Sequence, residues 1–280
     1  MKAPGISKIF IYSFLFIAAI ISIFPIFYTL SASFKSNQEL LISGATLIPQ
    51  HFTFANYKEA WTAANFKIYT WNSIYMTALI MVGVLFNSTM GGYVFARGNF
   101  RGKKFIFGLF TATMFVGLGS ITLYPLLDIA KLFHLNTNLF GVIVIHIFGL
   151  HIVQIFLVRG FIQSIPMEID EAAKMDGCSF FRIFWNIMLP LMKPVIATVG
   201  LLTFRAAWND YLLPLVFTLA NPSNSPLTVG VVALKSTGEA ASSWNLMVAG
   251  TVMSIAPMLV AFIFLNRYFI SGLTSGSVKG

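Results

Sequence analysis

Long apolar stretches separated by shorter polar segments dominate this sequence. Crossing the hydrocarbon core of a bilayer takes about 20 residues of helix. Six stretches reach that length, at about 9–30, 74–94, 105–127, 139–158, 196–219 and 246–269. Because lipid offers no hydrogen-bond partner to an open backbone, each stretch is predicted to be a helix. The predicted fold class is therefore an all-α membrane protein with six transmembrane helices.

Composition and charge support this class. Of the 280 residues, 57% are hydrophobic and 10% are charged, whereas soluble domains average about 25% charged residues. The net charge of +9 does not indicate nucleic-acid binding, because the basic residues are scattered among the apolar stretches. The one cysteine, Cys178, excludes an intrachain disulfide and cannot build a zinc site by itself.

The placement of Lys and Arg predicts the orientation. Twelve of these residues fall on one side of the six stretches and five on the other, with Arg205 inside a stretch. The positive-inside rule then places both termini in the cytoplasm, as expected for a multi-pass protein of a bacterial inner membrane. The first stretch is longer than the 7–15 apolar residues of a signal peptide, so we expect it to be retained as a span.

Residues 164–194, between the fourth and fifth stretches, predict a helical hairpin. Pro166 suits a first helical turn, where its missing N–H costs little. Gly177 is placed to end the first helix, and Ser179 to cap a second one. The positive end of the first helix dipole favours the three carboxylates that fall there, Glu168, Asp170 and Glu171.

The faces of this hairpin leave two interpretations open. Phe180, Phe184 and Ile187 form an apolar stripe on the second helix, beside Phe181 and Met188, before Leu189-Pro190 and Pro194 end it. On the first helix, Ala172 and Ala173 leave a low surface for another backbone. Such a hairpin can dock into a groove of a soluble partner, or it can pack only under its own bundle.

The hairpin resembles the EAA signature of binding-protein-dependent ATP-driven import permeases. Glu171-Ala172-Ala173, Gly177, Ile187, Leu189 and Pro190 stand at the spacing of that signature. The resemblance implies a type I ABC importer permease fold, in which this loop is the coupling helix that enters a cleft on the ATPase. The ATPase-coupling residues that it implies are Glu171, Ala172, Ala173, Asp176, Gly177, Leu189 and Pro190.

The whole chain resembles the smaller six-span permease of maltose-type carbohydrate importers. The segments that carry this resemblance are Ser33-Phe34-Lys35, Pro49, Asn56-Tyr57, Asn72-Ser73, Phe95-Ala96-Arg97, Phe100-Arg101-Gly102, Ala207-Trp208-Asn209-Asp210, Pro214 and the tail 272–280. It implies one permease domain over 1–280, with a core of about 69–270 and a coupling loop of about 164–194.

The same resemblance implies the partners and the substrate. We expect a second, related permease in a heterodimer, two ATPase subunits, an extracellular solute-binding protein, membrane lipid and no nucleic acid. The expected substrate is a sugar, as an oligosaccharide or a glycoside. The sequence has no G-x-x-x-x-G-K-[ST] phosphate loop. We therefore expect no enzyme activity, cofactor or metal in this chain, and ATP and Mg²⁺ to be used by the partner ATPase.

Three polar residues in the fifth stretch are candidates for the substrate pathway: Arg205, Asn209 and Asp210. A charge inside a span normally faces protein or water. Arg205 either pairs with a carboxylate of the bundle or of the partner subunit, or faces the passage and contacts an anionic group such as a uronate or phosphate. His146 and His151 are five residues apart and are expected to serve packing or pore polarity rather than metal binding.

Two other classes of protein stay open at this point. A stand-alone secondary transporter or channel would take up its substrate without ATP and usually shows repeats or several midspan charges. A membrane-bound enzyme needs an inward cluster of catalytic residues, which the spacing of Ser, His, Asp and Glu does not indicate. Within the importer class, an anionic sugar or glycerophosphate is the alternative substrate.

Overall fold

The computed structural model describes residues 5–42, 46–63, 65–116, 119–236 and 243–275. Within these ranges every regular element is a helix, which confirms the predicted helical class. The first eight helices are α1 (Gly5–Ala32), α2 (Asn37–Ile42), α3 (Ala55–Ala63), α4 (Phe66–Arg97), α5 (Lys103–Thr113), α6 (Leu123–Leu132), α7 (Leu139–Phe148) and α8 (Ile152–Ser164). The remaining seven are α9 (Glu168–Met175), α10 (Phe180–Ile183), α11 (Leu189–Leu191), α12 (Lys193–Trp208), α13 (Leu212–Thr218), α14 (Leu227–Ala233) and α15 (Trp244–Ser275).

Two helices in the described residues are long and apolar enough to cross a membrane, Lys8–Ala32 and Phe66–Arg97. Up to four spans result if each of two bent pairs counts as one. These pairs are Leu139–Phe148 with Ile152–Ser164, bent by 42°, and Phe180–Leu191 with Lys193–Trp208, bent by 80°. The predicted number of six spans is therefore still a prediction.

The structure divides three of the predicted spans. The third, at 105–127, is split into α5 and α6, which are separated by a 3₁₀ turn at Gly119–Thr122. The fourth, at 139–158, is interrupted between α7 and α8. The fifth, at 196–219, is interrupted after α12 and resumes as α13. The apolar length of the stretches did not reveal these breaks, although the polar residues Asn209 and Asp210 mark the one after α12. The tail 272–280 is one of the segments that carry the family resemblance, and its residues 276–280 lie outside the described residues.

The chain forms two compact units, and the first comprises residues 1–67 and 230–257. Its polar centre is the buried side chain of Asn56. The Asn56 amide donates to the backbone carbonyls of Ser33 and Lys35, each at 2.8 Å, and accepts from the Asn245 amide at 2.9 Å. The motif residues Ser33, Lys35 and Asn56 are therefore joined by hydrogen bonds that fix the chain after α1.

The second unit comprises residues 68–229 and 258–280 and has two buried apolar clusters. One packs α4 against α6, α7, α12 and α13 through Met76, Ile80, Val84, Ala130, Leu139, Val142, Ile143, Ala207, Leu213 and Phe217. The other packs the end of α4 against α8, the hairpin and α12 through Tyr93, Val158, Ile162, Ala173, Ile183, Phe184, Met188, Met192, Val195 and Val199. The second cluster positions the hairpin on the bundle.

Helices α4 and α8 approach each other closely at Gly92. A Cβ atom added there would lie 2.6 Å from the Val158 Cβ and 3.0 Å from the Arg159 backbone nitrogen. Glycine is therefore required at this crossing, since any side chain would push α8 away from the end of α4. The close approach brings the start of the hairpin, which follows α8, beside the last turn of α4.

Candidate functional site

The first helix of the hairpin, α9, ends in a Schellman motif at Gly177. The Gly177 N–H donates to Lys174 O at 3.0 Å, and the Cys178 N–H donates to Ala173 O at 2.9 Å. Gly177 has a φ of 75°, in the left-handed region that favours glycine. No heavy atom lies within 4 Å of a Cβ built there, so the requirement is one of backbone conformation and not of space. The predicted helix end at Gly177 is confirmed.

The start of α9 differs from the prediction. Pro166 lies before the helix, whose first residue is Glu168, and the N-cap Met167 makes no side-chain cap. Glu168, Asp170 and Glu171 do lie in the first turn, as predicted. The N-terminal dipole of α9 therefore meets carboxylates rather than a capping hydroxyl. Ser179 caps the second helix as predicted, accepting from the Arg182 N–H at 3.3 Å.

The second helix of the hairpin is not a regular α-helix. After α10 the chain makes a π-helical turn at Phe184–Met188 and then the short α11. Phe184 and Met188 are fully buried, which confirms the core of the predicted stripe. Phe181, which lies beside that stripe in the sequence, is 59% exposed. The extra residue of the π-turn rotates the positions on either side of it relative to a regular helix.

The residues of the EAA signature divide between two faces. Glu171, Ala172, Asp176, Gly177 and Pro190 are exposed, and Leu189 is half-buried. Ala173, in contrast, is buried in the cluster beneath the hairpin. The predicted low surface is thus formed by Ala172, while Ala173 allows α9 to lie close to its own bundle.

The exposed face of the hairpin is amphipathic. Its exposed charged residues are Glu168, Glu171, Lys174 and Asp176 on the first helix and in the turn after it, with Arg182 and Lys193 further along the hairpin. Met175, at 88%, and Phe181 are large apolar side chains open on the same hairpin, with Met167 and Ile169 also exposed. A surface that combines exposed apolar side chains with carboxylates is typical of a docking site for a protein partner.

Arg97, the last residue of α4, binds the buried face of the hairpin. Its Nε lies 2.9 Å from Asp170 Oδ2, and these side chains are only 9% and 2% exposed. Its Nη2 donates to Ile165 O at 2.6 Å and to Pro166 O at 3.4 Å. The sequence did not predict this ion pair, because the two residues are far apart in the chain and no local pattern links them.

Two further side chains support this attachment. One turn before Arg97, the Tyr93 hydroxyl donates to Phe180 O at 3.3 Å, and its ring lies 4.5 Å from that of Phe180. Lys103 donates to Ala96 O and Gly98 O and so caps the carbonyls at the end of α4. Burial, together with the nearby Arg159 charge, lowers the pKa of Lys103. Lys103 thus satisfies the carbonyls at the end of α4, and the Arg97 guanidinium binds the hairpin instead.

The candidate pathway residues lie at the interruption between α12 and α13. Asp210 Oδ2 lies 2.9 Å from His146 Nε2, at the end of α7. Arg205 is exposed, and no carboxylate of the described residues lies within ion-pair distance of it. The Asn209 amide donates to Arg205 O at 2.8 Å. Arg205 therefore does not pair with Asp210. The two remaining partners for its guanidinium are a carboxylate of a partner subunit and a ligand in the passage.

His146, which the sequence predicted only to serve packing or pore polarity, also lies in this region. The His151 Nε2 donates to the His146 carbonyl across the break between α7 and α8. The His146 side chain contacts Asp210 across the break between α12 and α13. The pair thus joins two interrupted helices. No group of three metal-binding side chains occurs among the residues described, and the absence of metal from this chain stays an expectation.

Comparisons with known proteins give the class of the chain. Residues 88–274 match the family of binding-protein-dependent transport system inner membrane components. The chain is 34% identical to the arabinooligosaccharides transport system permease protein AraQ of Halalkalibacterium halodurans, over 99% of this chain and 98% of the relative. It is 31% identical to the sulfoquinovosyl glycerol transport system permease protein SmoH of Agrobacterium fabrum, over 99% of this chain and 98% of that relative.

The fold has a counterpart among solved structures. The crystal structure of a bacterial ABC transporter involved in the import of the acidic polysaccharide alginate contains a chain with a TM-score of 0.81 and 25% identity. The match covers 96% of this chain and 98% of that one. The chain therefore belongs to the family of binding-protein-dependent transport system inner membrane components. It is an ABC transporter permease and a membrane protein.

Proposed function

We propose that this chain is the transmembrane permease subunit of an ATP-driven sugar importer, that it forms half of the passage, and that its hairpin docks on a separate ATPase. The two faces of the hairpin carry this proposal. The inner face is buried through Asp170, Ala173 and Phe184, whereas Glu171 and Gly177 face outward. A loop held firmly on one side and open on the other is suited to transmit motion from a partner to the bundle.

The proposed substrate is an oligosaccharide or a glycoside. The names of relatives at 31–34% identity refer to arabinooligosaccharides, galactooligosaccharides and sulfoquinovosyl glycerol. Recognition of the particular sugar falls mainly to an extracellular solute-binding protein. The proposed assembly contains a second, related permease and two ATPase subunits that use ATP and Mg²⁺. The proposal also includes six spans and cytoplasmic termini.

Reversing the charge of Glu171 tests the docking. In Glu171→Lys we expect the ATPase to be lost from the purified complex and uptake to fall, because a carboxylate of the docking surface is replaced by a cation. Glu59→Lys is the matched control, since Glu59 is an exposed carboxylate on α3, in the first unit. Normal ATPase binding and uptake in Glu171→Lys would contradict the proposed docking. Uptake that continues without ATP would favour a secondary transporter or channel.

A second candidate substrate class is an anionic sugar or glycerophosphate. Arg205, exposed on α12 with no carboxylate of the described chain in reach, favours it. A guanidinium in that setting suits a carboxylate, sulfonate or phosphate group. Two of the similar proteins are named for an anionic glycoside and an acidic polysaccharide. The neutral and the charged classes are separated by the Arg205 substitution described in the Discussion.

A further inference from the structure

The Arg97 side chain joins three parts of the second unit. It ends α4, contacts Asp170 in the first turn of α9, and donates to Ile165 O and Pro166 O. Ile165 and Pro166 connect α8 to α9. One guanidinium therefore fixes the end of α4 to the entry of the hairpin and to its first helix.

Burial and helix dipoles make this contact strong. With Arg97 and Asp170 both nearly inaccessible, removing one partner leaves the other charge buried without a counter-charge, which costs far more than losing a surface pair. Arg97 lies in the last turn of α4 and Asp170 in the first turn of α9, where the dipoles favour a cation and an anion respectively. We therefore expect the contact to persist while the hairpin moves.

The apolar contacts around the pair act in the same direction. The Tyr93 ring lies 4.5 Å from Phe180 and 5.3 Å from Phe184, measured between centroids. Ala173 is buried in the same cluster. The last two turns of α4 are thus attached to both helices of the hairpin, by charge at one end and by aromatic packing at the other.

We propose that the Arg97–Asp170 pair makes α9 and the end of α4 move as one rigid body, so that displacement of the hairpin is transferred to α4. This inference rests on the proposed function, because an ATPase has to displace the hairpin. It gives two neighbouring acids different roles. Glu171 faces the partner, whereas Asp170 is a positioning residue that faces the bundle and transmits the movement.

Spin labels on either side of the pair test this directly. With Cys178 replaced by Ser, labels are attached at Arg101→Cys, just after α4, and at Met175→Cys, at the end of α9; both positions are exposed. In the complete complex we expect the same distance between labels in the nucleotide-free state and in the state trapped with ATP and vanadate. A nucleotide-dependent shift with the native pair intact would overturn the proposal.

Substitutions at the pair supply the second half of the test. In Asp170→Asn we expect the distance between the labels to shift or broaden on trapping, because the attachment is weakened, whereas Asp170→Glu keeps the charge and restores the native behaviour. An unchanged distance in Asp170→Asn would show that the pair is not needed. If Asp170→Asn assembles poorly, Arg97→Lys replaces it, since an ammonium cannot make the several contacts of the guanidinium fork.

Asp128→Asn is the matched control. Asp128 forms an ion pair with Lys131 of the same 2.9 Å length in the same unit, but both side chains are largely exposed. The control should leave the distance unchanged. With arabino- and galacto-oligosaccharides as probes, sugar uptake per ATP hydrolysed should fall about tenfold in Asp170→Asn and stay unchanged in Asp128→Asn.

Failure of this inference is distinguishable from failure of the proposed function. If the proposed docking is wrong, the native complex purifies without an ATPase, and both proposals fall together. If only the rigid attachment is wrong, the ATPase binds and hydrolyses ATP, but the labels move apart in the native protein or Asp170→Asn transports sugar with normal coupling.

Discussion

The carboxylate of Asp210 lies 2.9 Å from His146 Nε2 and is not paired with Arg205, which precedes it by little more than a turn. The pair connects the ends of α7 and α12, each followed by a break in its helix. A break leaves backbone groups without their helical hydrogen-bond partners, and polar side chains at such a break can supply partners in a bilayer. Arg205 is consequently available for a group outside the described chain.

Loss of the His146–Asp210 contact should destabilise the second unit. In Asp210→Asn the charge that holds the imidazole is removed, and we expect a loss of about 1.5–3 kcal/mol, as for a hydrogen bond to a charged group. Thermal unfolding of the protein in detergent measures this. Asp128→Asn, which breaks an exposed ion pair of equal length, is the control and should leave the melting temperature unchanged. Equal melting temperatures for Asp210→Asn and the native protein would contradict a stabilising role.

Arg205→Gln separates the two candidate substrate classes. If Arg205 contacts an anionic group in the passage, uptake of an acidic oligosaccharide should fall at least about tenfold, because a charge-assisted contact is lost, while uptake of a neutral one persists. Competition between an oligouronate and a neutral oligosaccharide of equal length provides the measurement. Equal effects on both substrates would assign Arg205 to the partner interface and remove its role in recognition.

Substitutions of Gly177 should act through backbone conformation. Gly177→Val forces a β-branched residue into the left-handed region, and the expected loss of stability is about 1–2 kcal/mol or more. Gly177→Asn should cost less, because asparagine tolerates this conformation. Since no atom crowds the position, the order Gly, Asn, Val should appear both in thermal stability and in retention of the ATPase. A loss that instead followed side-chain size, with Asn as damaging as Val, would indicate a steric role at the docking surface.

Asn56→Asp should destabilise the first unit. The carboxylate cannot donate to Ser33 O and Lys35 O, so two acceptors that now receive hydrogen bonds in a buried site lose them. Each buried polar group left without a partner costs about 1–3 kcal/mol. Limited proteolysis of the segment after α1 measures the effect. Gln38→Ala, at an exposed position in the same unit, is the control, and equal protection in both variants would contradict the prediction.

Local patterns predicted the elements of the hairpin well and its contacts poorly. Gly177 ends α9 and Ser179 caps α10 as predicted, because a left-handed residue and a capping hydroxyl act over a few neighbouring residues. The π-turn at Phe184–Met188 was not predicted, because residue spacing does not show it. The ATPase-coupling role of Glu171 and its neighbours stays a prediction from resemblance.

By itself, the sequence determined the helical membrane class, the position of the hairpin and the membership of the chain in the importer family. These properties depend on apolar length, on local backbone preferences and on a signature within one short segment. Only the tertiary structure decided that Arg97 holds Asp170, that His146 holds Asp210, and that Ala173 faces inward while Ala172 faces out. Each of these depends on how distant helices cross and break, and the packing of the whole unit sets that geometry.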